Sequence, residues 1–372
     1  MNKKNSIQWN TDWEGVHGFN DMAFELTREF HPKGRTAGEE FFAKISKVDD
    51  WWSITRDGYR AGTTLVLILP FFKAWEVSDA KMKEYATGHL RLMPGAQDTL
   101  KNLQRKMSVF VISTTYSGCM SPVAELAGIP EENLYCTQVQ LDNYQFSPSE
   151  IQRIGQLAEE IADIPILDWP AGASKDEDLS QEMQEIAKRL HEIFWSETAL
   201  MGMESYRQMI SGIKVTGGPG KAEAVKNSCQ KTGNELSRVV YTGDSITDFE
   251  ALTLVRENGG LAISVNGNSY AVRAADIACM LDNTIVLEVL ISTFAKGGKE
   301  LIQKTVANWN WDTVENLDLE EDLISRLRQI FPEKLPSVKI VPGATKSPIE
   351  SLIEESEAFR KYIRGEVIGK LG

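Results

Sequence analysis

Cysteine is scarce: Cys119, Cys136, Cys229 and Cys279 are scattered over 372 positions, and no two form a CxxC pair. That spacing excludes a disulfide framework and a thiolate zinc site, and it fits a reducing, cytoplasmic setting. Histidine is equally sparse, and His17, His31, His89 and His191 lack metal-ligand spacing. Long apolar runs are missing too. The longest, Leu65 to Phe72, is interrupted by Pro70 and too short to span a bilayer, so it reads as a buried helix or strand. The opening MNKKNSIQWN carries two lysines with no apolar stretch behind them, which argues against a secretory signal. Positive charge is outnumbered, 40 lysines and arginines against 53 acids, for a net charge of −13. Such a field disfavours nucleic acid and membranes as partners. An anionic substrate would then need local cations or a bound metal. Internal repeats and low-complexity tracts are absent.

What is present is ordinary globular composition, 42% hydrophobic and 25% charged. At roughly 150 residues per unit the length suggests two or three compact units. Short apolar runs ending in polar or Gly-rich loops read as buried parallel strands: one through Ile7 and Trp9, then Met107 to Ile112, Arg238 to Tyr241, and Gly260 to Val265. Helices are predicted over Gln97 to Lys106, Lys221 to Thr232 and Asp248 to Glu257. This alternation predicts an α/β fold, a Rossmann-like three-layer sandwich around a parallel sheet. Two long helical stretches interrupt it, 23–95 and 148–212. In the second, Ile151, Ile154, Leu157, Ala158 and Ile161 share one helical face, and Leu179, Met183, Ile186, Leu190 and Phe194 share another. Between them Trp169 to Ser174 reads as a loop. The core is then 1–22, 96–147 and 213–292, with a charged helical extension over 293–372 that is broken from Pro336 to Pro348.

Four segments carry polar groups able to do chemistry. Asp12-Trp13-Glu14-Gly15 places two carboxylates on a loop that Gly15 lets fold back, so they can converge; alone it also reads as a solvated acidic turn. Ser113-Thr114-Thr115 is predicted at the carboxyl end of a strand, where hydroxyls and amides can hold phosphate oxygens. Gly217-Gly218-Pro219-Gly220-Lys221 runs into a helix, offering free amides and a lysine to an anion. Ala222 stands where a P-loop needs Ser or Thr. Gly243-Asp244-Ser245-Ile246-Thr247-Asp248 puts two aspartates between a strand and a helix, where they can serve hard Mg²⁺ or simply cap the helix.

Taken in order, strand–DxEG, strand–Ser, Gly–Lys–helix and strand–GDSxxD resemble the four motifs of the haloacid dehalogenase superfamily, with helical cap insertions over the core. The resemblance implies a Mg²⁺-dependent phosphatase in which Asp12 attacks phosphorus and forms an aspartyl-phosphate. Glu14 would be acid and then base, with its carbonyl on the metal. Ser113, or Thr114, would bind a phosphoryl oxygen. Lys221 would neutralise the nucleophile–phosphate pair, Asp244 would ligate Mg²⁺, and Asp248 would hold a metal-bound water or Lys221. Glu14 departs from the commoner Asp, as in enolase-phosphatase-like members, and Val16 replaces a common Thr. A shifted register would put Asn10 and Asp12 in the acidic positions and remove the nucleophile.

The first insert resembles that of phosphoserine-phosphatase-like members, and the chain is also similar to archaeal proteins of this superfamily. Inserts at these points act as lids that choose substrate. Trp51, Trp52, Trp75 and Trp195 there read as buried packing rather than a stacking wall, and His17, close to Asp12, as packing rather than pocket lining. The expected substrate is a small phosphorylated metabolite, and a homo-oligomer is left open. The competing readings are a catalytically quiet binding or accessory protein of the same fold and a phospho-receiver, which is about a third of this length and has no place for Gly243-Asp244.

Overall fold

The computed structural model describes residues 7–170, 172–342, 346–366 and 369. The lysine-bearing N-terminus, Ala171 of the 169–174 loop and 343–345 of the Pro336–Pro348 break lie outside them. In chain order, β1 (Gln8–Thr11) leads into a helical block, α1 (Met22–Phe30), α2 (Arg35–Thr55), α3 (Thr64–Leu67), α4 (Leu69–Ala74) and α5 (Asp79–His89). The chain returns through α6 (Ala96–Gln104) to β2 (Ser108–Tyr116), α7 (Ser117–Ala127) and β3 (Leu134–Thr137). A second helical block holds α8 (Pro148–Asp163), α9 (Gln181–Trp195) and α10 (Glu204–Gly212). Then come α11 (Pro219–Thr232), β4 (Val239–Gly243), α12 (Phe249–Glu257), β5 (Leu261–Val265), α13 (Ser269–Ala274) and β6 (Ile277–Met280). The C-terminal part comprises α14 (Ile285–Ala307), α15 (Trp311–Glu315), α16 (Glu321–Ile330), β7 (Ser337–Ile340) and α17 (Lys346–Arg364).

The strands form one sheet in the order β3-β2-β1-β4-β5-β6-β7, parallel except for the β6–β7 pair. Trp9, Val111, Val240 and Ile263 pack on one face beneath Leu287 and Leu290 of α14. Ile112, Tyr241 and Ala262 pack on the other against Val225 of α11 and Leu252 of α12. This is the three-layer α/β sandwich that the alternation predicts. Chain order reverses at β1, whose neighbours are β2 and β4, so a crevice opens at the carboxyl edge there.

β1 is polar yet wholly buried, because its two faces meet different partners. Gln8 and Asn10 donate to Ser228 Oγ on α11 at 2.9 and 2.6 Å. Trp9 donates from Nε1 to Thr242 Oγ1 at 3.1 Å. Buried polar groups are tolerated when they are paired in this way.

Four details differ from the sequence reading. β2 continues to Tyr116, so Ser113, Thr114 and Thr115 lie inside the strand rather than at its carboxyl end. β3 and β6 are four-residue runs, too short to stand out by periodicity. β7 occupies part of the Pro336–Pro348 break; only Val338 of it is buried, as suits an edge strand. The two helical inserts share one hydrophobic core, in which Trp51, Trp52, Phe71 and Phe72 pack with Ile154, Leu190 and Phe194. Leu65 to Phe72 is helical there. α8 begins with a capping box between Ser147 and Glu150, and Ser180 caps α9. No helix of the described residues is long and apolar enough to cross a membrane.

Candidate active site

The amide of Asp12 donates to Thr242 O at 2.8 Å, extending the β1–β4 ladder by one residue and delivering Asp12 to the crevice. Asn10 lies beneath α11 instead, so Asp12 is the acid of this strand that reaches the edge. The chain then folds tightly, with Trp13 O accepting from the amides of Val16, His17 and Gly18 at 3.3, 2.9 and 3.0 Å. Gly15 makes that turn at φ 84°. Glu14 is only partly buried, and its Oε1 accepts from the Met22 amide at 2.8 Å, at the start of α1. Burial and the nearby Asp21 carboxylate raise Glu14 to about 8.

Lys221 sits in the first turn of α11, fully buried. Its ammonium donates to Asp12 Oδ2 at 2.6 Å and to Asp248 Oδ1 at 2.8 Å. Burial alone would lower the lysine, but the two carboxylates outweigh it and the net shift is upward, so the charge is kept. For Asp12, burial and the Asp248 carboxylate push upward against the pull of Lys221. Asp248 is also fully buried, and both its oxygens are committed. Oδ1 accepts from Tyr241 OH at 2.7 Å as well, and Oδ2 from the amides of Asp244 and Ser245 at 3.1 and 3.2 Å.

Three amides of the Gly-rich approach to α11 are already engaged within the protein. Gly218 donates to Thr247 O at 2.8 Å, Gly220 to Gly217 O at 2.9 Å and Lys221 to Gly218 O at 3.0 Å. The glycines permit close packing instead: a β-carbon on Gly217 would lie 2.3 Å from Ala61 O in the cap.

Asp244 follows β4 and is buried. Side-chain oxygens of Asp12, Asp244 and Asp248 lie within 4.8 Å of one another, a grouping that suits a hard divalent cation. Asp244 is also held by two arginines of α17. Arg360 Nη1 donates to Asp244 Oδ2 and, at 3.1 Å, to its backbone oxygen; Arg364 Nη1 donates to Oδ2 at 3.1 Å and Nη2 to Asn20 O at 2.9 Å. The sequence reading missed both. The signal was available: Ile349, Leu352, Ile353, Ser356, Arg360 and Arg364 follow helical spacing and are all buried, so the inward stripe of α17 ends in arginine.

A cavity of about 90 Å³ joins these groups under the cap, lined by Asp12, Glu14, Ser113, Thr114 and Asp244 from the core side. Ser113 is fully buried, and Thr114 Oγ1 is buried without a hydrogen-bond partner among the described residues. From the cap come Phe42, Asp49, Asp50 and Thr64, and from α17 Arg360 and Arg364. Asp49 accepts from Tyr59 OH, the Gly62 amide and Thr64 Oγ1 at 2.7, 3.1 and 2.9 Å, which braces the loop before α3. His17 does not line the cavity; it is buried beside Trp9 and Trp13, 2.9 Å from Thr11 Oγ1. Trp51 and Trp52 are buried, and Trp75 and Trp195 pack partly exposed against the same cap core. The four cysteines are buried and unpaired.

A sheet of this order, with helical inserts packed over its carboxyl edge, defines an α/β sandwich with an acidic crevice. A gene product from Archaeoglobus fulgidus has a similar structure over 99% of both chains, at 24% identity and a TM-score of 0.76, so the fold is shared along the whole chain. An apo phosphoserine phosphatase is similar over 76% of this chain and 98% of its own, at 14% identity and a TM-score of 0.44. A substrate-bound phosphoserine phosphatase structure is similar over 77% and 98%, at 14% identity and a TM-score of 0.42. Neither a family model nor a curated protein matches the chain.

Proposed function

We propose that this chain is a Mg²⁺-dependent phosphomonoester hydrolase with Asp12 as nucleophile, acting on a small phosphorylated metabolite. The observation that carries the reading is the buried Lys221 ammonium held between Asp12 and Asp248, with Asp244 close enough to share an ion with Asp12. A carboxylate approaches a phosphate dianion only where opposing charge intervenes, and fixed electrostatics then supply most of the barrier reduction. Lys221 provides one such charge. Asp248 positions it, since both of its oxygens are already committed.

Asp12 attacks phosphorus, the ester oxygen departs, and an aspartyl-phosphate forms. Glu14, raised to about 8, holds a proton at neutral pH and can pass it to the departing oxygen. Once ionised, it takes a proton from the water that attacks the aspartyl-phosphate, which releases phosphate and restores Asp12. Ser113 and the unpartnered Thr114 hydroxyl line the same cavity as Asp12 and would receive phosphoryl oxygens. The grouped carboxylates of Asp12 and Asp244 fit Mg²⁺, which they and the Glu14 carbonyl would hold, with Asp248 beside them; when bound, the ion would neutralise charge on the nucleophile and the phosphoryl oxygens. The cavity of about 90 Å³ is far below the roughly 300–1,000 Å³ that encloses a drug-sized ligand, which favours a compact substrate.

The test is hydrolysis of p-nitrophenyl phosphate and a panel of metabolite phosphomonoesters with Mg²⁺. Turnover that falls by about 10³-fold or more in Asp12→Asn is expected. Equal turnover in that variant overturns the role of Asp12. No turnover across the panel overturns the enzyme reading and leaves a binding protein.

A further inference from the structure

The C-terminal helix ends inside the carboxylate cluster. Along α17 the contacts grade from surface to interior: Glu350 pairs with Arg273 at 2.7 Å, Glu357 accepts from the Ser269 amide at 3.0 Å, and buried Ser356 donates to Gly267 O at 2.7 Å. Ile349, Leu352 and Ile353 pack against Val272, Ala278 and Met280. The next two inward positions are Arg360 and Arg364. Both are at least nine-tenths buried, and both donate to the same oxygen, Asp244 Oδ2.

We propose that α17 is a built-in occupant of the cation site: Arg360 and Arg364 hold Asp244 in place of a divalent ion, and seating of the helix end and binding of the ion exclude each other. The inference rests on the metal reading given under Proposed function. Two facts carry it. The first is charge. Asp12, Asp244 and Asp248 are paired with Lys221, Arg360 and Arg364, and the Asp21 carboxylate also faces Arg364. The two guanidinium groups carry the same charge as one divalent ion, so adding an ion without moving them would place like charges side by side in a buried site, where screening is weak. The second is space. Arg364 Nη1 would lie 3.1 Å from a β-carbon on Gly15, and Asp244 Oδ2 only 1.9 Å from it. The DxEG turn and the two guanidinium groups thus crowd Asp244 Oδ2, so an ion with its hydration shell reaches that oxygen only if the guanidinium groups shift. A compact, strongly hydrated Mg²⁺ needs that shell. Arg360 and Arg364 are therefore positioning residues that keep a buried carboxylate paired, and they yield the site when the ion arrives.

The experiment is calorimetric titration of Mg²⁺ and Mn²⁺ into the full-length protein, the Arg360→Gln/Arg364→Gln double variant, and each with Asp244→Asn added. It is paired with hydrogen exchange of the wild-type α17 amides with and without ion. The double variant is expected to bind either ion at least tenfold more tightly than wild type, Asp244→Asn to abolish binding in both, and saturating ion to speed exchange across α17. Equal affinity in wild type and double variant overturns the proposal. So does ion binding that depends on Asp244 while α17 exchange stays unchanged, and so does absence of binding in the folded double variant. If the double variant fails to fold by circular dichroism, wild-type exchange decides alone. None of these readouts uses turnover, so loss of the phosphatase reading through the Asp12→Asn assay is a separate result.

Discussion

A β-carbon on Gly15 would lie 1.9 Å from Asp244 Oδ2, so these two residues, 229 positions apart, make a contact that only glycine allows. Gly15 also turns at φ 84°, where a side chain adds about 1–2 kcal/mol of backbone strain. Gly15→Ala is therefore expected to push Asp244 out of register with Asp12. Turnover should fall by about tenfold or more, with a lowered melting temperature. Unchanged turnover and melting in that variant would show that the contact is slack.

The Lys221 ammonium separates two buried carboxylates, and replacing it with an apolar chain leaves them facing each other. Lys221→Met is expected to cost about 3–5 kcal/mol, as for other broken buried pairs. The loss should depend on pH in a defined direction. With the lysine gone, Asp12, already pushed upward by burial, resists ionisation when folded, whereas an unfolded aspartate ionises near pH 4. Stability of the variant relative to wild type should then fall as pH rises from about 4 and recover in acid. Urea unfolding at pH 5 and pH 8 reads this directly; a deficit equal at both values would mean that packing, not charge, is what Lys221 supplies.

Much of the core was legible because key residues sit where strands end and helices begin: Asp12 just after β1, Asp244 just after β4, and Lys221 in the first turn of α11. The hidden parts have physical reasons. Ser113 and Thr114 belong to β2 because polar residues can continue a buried strand when neighbours pair them, and no local pattern marks that. The glycines before Lys221 read as amide donors, whereas the fold uses them to bring the cap close, a tertiary need invisible to spacing. Arg360 and Arg364 sit on the inward face of α17, but charge normally marks a solvated face. Only their burial against Asp244, across more than a hundred residues of sequence, reveals their partner.

His17 is fully buried, and desolvation lowers it to about 3. Its folded value lies below the ordinary 6.5, so the unfolded chain takes up the proton first as pH falls. The stability that neutral His17 contributes is whole above about pH 6.5 and is lost as pH drops toward 3. Between pH 4 and 6, wild type should lose about 1.4 kcal/mol per pH unit more than His17→Asn. Chemical denaturation of both proteins across that window measures the difference. Parallel curves would mean that the ring is hydrated or moves on protonation.

Glu14 presents the complementary case, a carboxyl held protonated at neutral pH by burial and by Asp21, at about 8. Donating a proton to a departing alkoxide requires the acid form, so kcat/KM for an alkyl phosphate should be flat below about pH 8. Above it, kcat/KM should fall tenfold per unit as the carboxyl ionises. p-Nitrophenolate leaves without help, so its kcat/KM should not share that limb. The same logic separates the substrates in Glu14→Gln. Its kcat/KM should drop by about 10²-fold or more for the alkyl ester and much less for the aryl ester. A pH–rate comparison of the two esters, in both proteins, is the measurement. If the alkaline limb appears equally with both esters or survives in Glu14→Gln, the proton comes from another group, and Glu14 serves mainly to accept the Met22 amide at the start of α1.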